Sequence, residues 1–347
     1  MSAVPCFVDP ARGPHVRDHE ASPLADQLAA VLARASQDPD HPGLERALAT
    51  VARIEPADPD DGARALIAVH RLFVAPLEEL GGAAAFGHHP AIGALKRRLE
   101  AALVARLEDQ VARRLGPRPV EPVAAIRRLA ATDLVPPLYD WVATTADLGS
   151  LRRFLVLEGG PDGGFDDLVA ACQVGLAGEP KLELARNYWD EMGRGDLAEV
   201  HTELHRRLSA ALGLEPLPLA DQGLAALDRG LLGSLLATNR HLQPEMVGAL
   251  GLIELQAGPR CRRVVQGLRR LGAGPDALAF YVEHADADPR HGKAWLDHVI
   301  APLADRPGWG PGMVRGAQWR SAANGAFLDD VTAELVAERA HVGSPVA

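Results

Sequence analysis

His284, Asp288 and His291 stand at i, i+4 and i+7 within Phe280-Tyr281-Val282-Glu283-His284-Ala285-Asp286-Ala287-Asp288-Pro289-Arg290-His291. On an α-helix these offsets fall on one face, stacked over two turns. Two imidazoles and a carboxylate aimed the same way form a metal-binding edge, and that N/O donor mix suits iron, manganese or zinc. Two further segments carry groups of the same kind. Glu191 and His201 flank Gly193-Arg194-Gly195, and Glu254 interrupts the apolar run Leu250 to Leu255. A carboxylate in such a run is costly to bury without a cation or a metal beside it. Six candidate ligands in three segments of the chain are the number that a two-metal site needs.

Each group has a plainer reading. Asp288-Pro289 is also a good helix start, with Asp as N-cap and Pro at the first helical position. A helix that runs through Pro289 must absorb about 3 kcal/mol unless it kinks. Glu191 could pair with Arg186 or Arg194, and Glu254 with an arginine among Arg260 to Arg263. His201 and His205 are i, i+4 neighbours, but Thr202 stands where a zinc-protease helix needs Glu. His88-His89 precedes Pro90 in a turn and reads as a cap or surface feature.

The 347 residues suffice for one large domain or two modest ones. The chain is 47% apolar, rich in Ala, Leu and Arg, and only 4% aromatic. No alternating β-branched runs occur, so the expected fold class is all-α. The net charge of −10 argues against a nucleic-acid partner. Cys6, Cys172 and Cys261 form no CxxC pair or disulfide framework. Their scatter, the lack of a leader-like N-terminus and the lack of a bilayer-length apolar run lead us to expect a cytoplasmic protein without membrane contact. No GxSxG, Walker or dinucleotide glycine pattern is present.

Proline and glycine divide the chain. Residues 1–22 are expected to be an irregular arm, 23–84 an accessory helical segment, and 85–347 the principal domain. Within the last, breaks are expected near residues 257–258 and between residues 288 and 289. A loop is expected at Pro307 to Gly312, ahead of a final helix at about 319–341.

Taken in order, Asn187-Tyr188-Trp189-Asp190-Glu191-Met192-Gly193-Arg194-Gly195, His201, Glu254 and His284-x3-Asp288-x2-His291 resemble the heme-oxygenase-like diiron oxidases and oxygenases, an iron-containing redox enzyme family. The resemblance covers roughly residues 85–340. It implies a helical bundle of about seven core helices, to which the first stretch of the chain adds an N-terminal helical extension. It also implies two iron ions (Fe2+) held by Glu191, His201, Glu254, His284, Asp288 and His291, with O2 as co-substrate. Some members add an upstream carboxylate, for which Glu158 is the first choice here and Asp166 the runner-up. The implied activity is oxidation of a small amine, amino-acid or fatty-acid-like metabolite in specialised metabolism, with Tyr188, Trp189 and Tyr281 as substrate-pocket candidates. An external electron donor and a homodimer fit the same reading. The alternative is a metal-free relative, a quinone-cofactor-synthase-like protein or an interaction module, which would not need all six ligands.

Overall fold

The computed structural model describes residues 23–115, 121–159 and 164–342, with side chains as far as residue 336. The arm expected at 1–22 lies outside the described residues. The first helices are α1 (Leu24–Gln37), α2 (Leu44–Val51), α3 (Pro59–Val74), α4 (Leu77–Leu80) and α5 (Pro90–Arg114). Next come α6 (Pro122–Thr132), α7 (Pro137–Thr144), α8 (Leu148–Gly159), α9 (Phe165–Cys172), α10 (Glu179–Glu191) and α11 (His201–Leu212). The series ends with α12 (Leu224–Thr238), α13 (Gln243–Arg270), α14 (Pro275–Ala294), α15 (Ala301–Ala304) and α16 (Trp309–Val342). The class is all-α, and the described residues include no strand.

These helices form two compact units. One takes in the helices up to Asp109 together with Pro218–Thr238; the other takes in Gln110–Leu217 and the chain from Asn239. In the first unit, Asp61 anchors the start of α1, accepting from the Leu24 and Ala25 amides at 3.0 and 2.8 Å. Asp58 caps α3 by accepting from the Asp61 amide, with Pro59 at the first helical position. In the same unit the buried His70 bridges Ser234 and Glu100, at 2.8 Å on each ring nitrogen.

The second unit is built around α13, which packs along both α14 and α16. Three boundaries differ from the sequence reading. Helix α13 runs unbroken through Pro259, and α14 through Pro289. The Pro289 ring nests on Gly258, where an added Cβ would come within 2.7 Å of its Cδ. Pro289 has no N–H to offer the carbonyl of Ala285, one turn back. Arg262 of α13 donates to that carbonyl instead, at 2.8 Å. The neighbouring helix thus replaces the bond that proline removes, and Asp288 sits inside the helix rather than capping it.

Helix α16 begins at Trp309, within the stretch expected to be a loop. Its glycines are contact points rather than hinges. A Cβ on Gly316 would lie 1.9 Å from the Glu245 carbonyl oxygen, and one on Gly248 would lie 1.8 Å from that of Met313. Only glycine permits backbones to approach so closely. After α14 the chain widens into a π-helical turn, Trp295–Ile300, which buries Trp295, Leu296, Val299 and Ile300. Among the described residues, no helix is long and apolar enough to cross a membrane.

Candidate metal centre

Helix α10 presents Asn187 and Glu191, one turn apart, as buried polar residues. It ends at Gly193-Arg194-Gly195, where φ is +58°, +54° and +89°. Three successive left-handed residues reverse the chain tightly. A Cβ on Gly193 would meet the backbone of Glu199 and Val200 at 2.5–2.6 Å, and one on Gly195 would strike the Trp189 ring. Arg194 is held in this costly conformation while its side chain reaches Asp190 at 3.5 Å and Glu283 at 3.1 Å. The reversal lets α11 open with His201 turned back toward Glu191. Nδ1 of His201 lies 2.6 Å from Glu191 Oε2.

Two ligand sets result. Glu191, His201 and His284 form one; Glu191, Glu254 and His291 form the other. In each, the donor atoms lie within 4.8 Å of one another. Glu191 belongs to both. Asp288 adjoins the second set, with Oδ1 3.9 Å from His291 Nδ1. Glu191, His201, Glu254, Asp288 and His291 are all buried, and His284 is partly buried. The structure therefore brings all six sequence-derived candidates into one cluster on α10, α11, α13 and α14.

The two upstream candidates have different surroundings. Glu158 accepts from Tyr139 Oη on one oxygen (2.6 Å) and from Tyr281 Oη on the other (2.9 Å). Asp166 has its carboxyl pushed up by burial and by negative neighbours, Asp167 and Glu191 among them, which places it within electrostatic reach of the cluster. Of the pocket candidates, Tyr281 is buried on Glu158 and Tyr188 is half-buried. Trp189 is 55% exposed, on the face of α10 opposite Glu191.

The arginines suggested as partners for the buried carboxylates are engaged elsewhere. Arg186 pairs with Glu183, Arg260 with Asp133 and Arg263 with Asp140. Glu254 instead accepts from Asn187 Nδ2 at 2.8 Å, and its Oε2 lies 3.6 Å from His291 Nδ1. Burial first, then the carboxylates around them, raises Glu254 and Asp288 above the usual carboxylate range.

The imidazoles are prepared in different ways. His284 Nδ1 donates to the Phe280 carbonyl at 2.7 Å, which leaves Nε2 as its free donor atom. Burial and the neighbouring His201 ring, 4.5 Å away between centroids, bring its pKa down to about 4. His291 Nε2 donates to Asp190 Oδ2 at 2.9 Å, leaving Nδ1 toward Glu254 and Asp288. Burial opposes its charge, but Glu254, Asp190 and Asp288 outweigh burial and raise its pKa to about 9.

The donor set fits a transition metal on a direct observation. Nε2 of His201, Nδ1 of His291 and Oδ2 of Asp288 are buried with no hydrogen-bond partner among the described residues. Buried polar atoms rarely go unsatisfied, and these converge on one place. Asn187, Asp190 and Arg194 were not singled out in the sequence as supporting groups. The available signals were the i, i+4 spacing of Asn187 to Glu191 and the carboxylate directly before that ligand.

An all-helical unit that buries carboxylates and imidazoles within reach of one another is a helical bundle with a candidate metal centre. The family described as iron-containing redox enzyme matches residues 152–325, a span that contains all six residues and both upstream candidates. The chain belongs to that family, and its fold is the heme-oxygenase-like bundle. No curated protein matches the chain.

Proposed function

We propose that the chain is a non-heme diiron oxidase or oxygenase that uses O2 to oxidise a small amine, amino-acid or fatty-acid-like metabolite. The observation that carries this reading is the pair of three-residue ligand sets sharing Glu191. In our assignment Glu191, His201 and His284 would hold one iron, and Glu254, Asp288 and His291 would hold the other. Glu191 belongs to both residue groups and would be shared between them. Asp166 is our choice for the additional carboxylate, because its electrostatic field overlaps that of Glu191.

Iron bound there would supply O2 activation and one-electron chemistry that side chains lack. The protein's role is positioning and protection. The Phe280 carbonyl and the Asp190 carboxylate fix which nitrogen each histidine offers. Asn187 orients Glu254. Burial keeps bulk water from the ligand atoms and strengthens every charge interaction among them. An external electron donor completes the proposed cycle.

Anaerobic titration with Fe(II), followed by metal analysis, tests the reading. Two irons per chain are expected for the wild type, and fewer for His284→Ala and Glu191→Ala. Oxygen uptake, with mass-spectrometric screening of a metabolite panel, then identifies the substrate class. Iron content near zero in the wild type overturns the proposal.

A further inference from the structure

A second polar group, outside the six-residue cluster, joins two buried tyrosines to Glu158. Tyr139 of α7 and Tyr281 of α14 are 2% and 5% exposed, and both donate to the Glu158 carboxylate of α8, one to each oxygen. A phenol can lose an electron readily only when its proton has somewhere to go. Each of these phenols already has a carboxylate oxygen in hydrogen-bond contact. Tyr281 also lies close to the proposed iron ligands. It is one turn before His284, about 4.5 Å along the helix axis, and it shares a face with Asp288 seven residues on. The Phe280 ring stands 4.3 Å from His284 and 5.1 Å from Tyr281 between centroids, so aromatic rings run without a gap from phenol to ligand. Cys261 couples electrostatically to both Asp288 and Glu158, which places the two clusters side by side. Burial and the Glu158 charge keep the Tyr281 phenol protonated far above its ordinary range, so the proton is present to be moved.

We propose that Tyr281 is a redox-active residue that donates one electron to the oxidised iron site while passing its proton to Glu158. The inference rests on the diiron reading above, since the iron site is the oxidant. In the step, the Tyr281 O–H bond breaks and the electron leaves for the iron site, which is reduced by one. The proton crosses the 2.9 Å hydrogen bond to Glu158 Oε2 and forms an O–H bond there, leaving a neutral phenoxyl radical. Tyr139 can then restore Tyr281. One electron passes from Tyr139 to the Tyr281 radical, the Oε2 proton returns to the Tyr281 oxygen, and the Tyr139 proton moves to Oε1. Glu158 holds one proton before and after the exchange, and the radical has moved to the second phenol. A one-electron reductant from solution, with Glu158 returning its proton, closes the cycle at Tyr139.

The test loads the full chain with Fe(II) without oxygen, mixes it with O2 in the absence of substrate, and freezes it at intervals for electron paramagnetic resonance. Iron content and oxygen uptake are measured on the same samples. A phenoxyl signal that narrows when the protein carries ring-deuterated tyrosine is expected in the wild type. Tyr281→Phe should remove it, and Glu158→Gln should slow its appearance by ~10²-fold, the usual scale for losing a positioned proton acceptor. Tyr139→Phe should leave the first radical intact and lengthen its life. Failure to bind iron or consume O2 sinks the diiron reading and, with it, the oxidant. Iron oxidation and oxygen uptake with no tyrosine-derived signal in the wild type overturns this inference alone, as does a signal that survives in a folded Tyr281→Phe variant.

Discussion

Nε2 of His291 donates to Oδ2 of Asp190 across 2.9 Å, and this bond leaves Nδ1 as the ring nitrogen that faces Glu254 and Asp288. Asp190 is in turn held by Arg194, which also grips Glu283, the residue before His284. One outer carboxylate thus ties the ligand ends of α10 and α14 together. Replacing Asp190 with alanine should weaken metal binding by ~10–100-fold, the usual effect of losing such a partner. Calorimetry with Mn(II) or Fe(II) checks this, and an unchanged affinity would show that Asp190 plays no such role.

Metal-free stability should move the other way when a ligand is neutralised. Asp288 and Glu254 are buried among other carboxylates and titrate above their ordinary range. A folded-state carboxylate pKa above the unfolded one destabilises the ionised protein, and does so more as pH rises toward that folded value. Asp288→Asn should therefore raise the melting temperature of the metal-free chain by about 2–4 °C for each kcal/mol relieved. The same change should abolish full metal loading. A lower melting temperature in calorimetry would contradict this account.

Metal affinity should climb with pH. A bound metal needs the neutral ring, but in the metal-free chain His291 keeps its proton up to about 9. Loading near neutrality must displace that proton, together with any on Glu254 or Asp288. Affinity should rise from pH 6 to about 9 and level off above it. Calorimetry in buffers of different ionisation enthalpy will count the protons released, and zero release at pH 7 would refute the assignment.

Gly292 lies where α14 meets α13, and an added Cβ would stand 2.7 Å from the Glu254 carbonyl oxygen. Gly292→Ala must push apart the helices that carry the candidate ligands Glu254 and His291. A cost of ~1–3 kcal/mol is expected, the range for overpacking, along with a loss of metal stoichiometry. Chemical denaturation and metal analysis read the two effects separately.

In the other unit, burial lowers the pKa of His70 despite the raising influence of Glu100. Between its folded value and 6.5, the unfolded chain binds more protons than the folded one. Stability therefore falls as pH drops through that window. His70→Gln should flatten this stretch of the stability–pH curve, and an identical curve in the variant would assign the acid sensitivity elsewhere.

The site was legible because ligand types and helix faces are local properties. His284, Asp288 and His291 share a face whatever surrounds them, and Glu254 stands out against its apolar neighbours. The helix limits that were missed depend on partners distant in sequence. Pro259 and Pro289 read locally as breaks, yet Gly258 accepts the Pro289 ring and Arg262 satisfies the Ala285 carbonyl. Gly310 and Gly312 read as loop for the same reason: their use is contact with other segments, which spacing along the chain does not reveal. Glu158 and Asp166 are both carboxylates upstream of Glu191, and their surroundings differ in the two phenols that meet Glu158.

Because α13 and α14 touch main chain to main chain at Gly292, the spacing between the segments carrying Glu254 and His291 is fixed, like the stationary jaw of a vice. The opposite jaw is the left-handed turn at Gly193-Arg194-Gly195, whose geometry sets the angle between Glu191 and His201. At the proposed centre, accommodation of ions of different radius would therefore fall to that turn, and swapping its sequence would be the direct route to retuning metal preference.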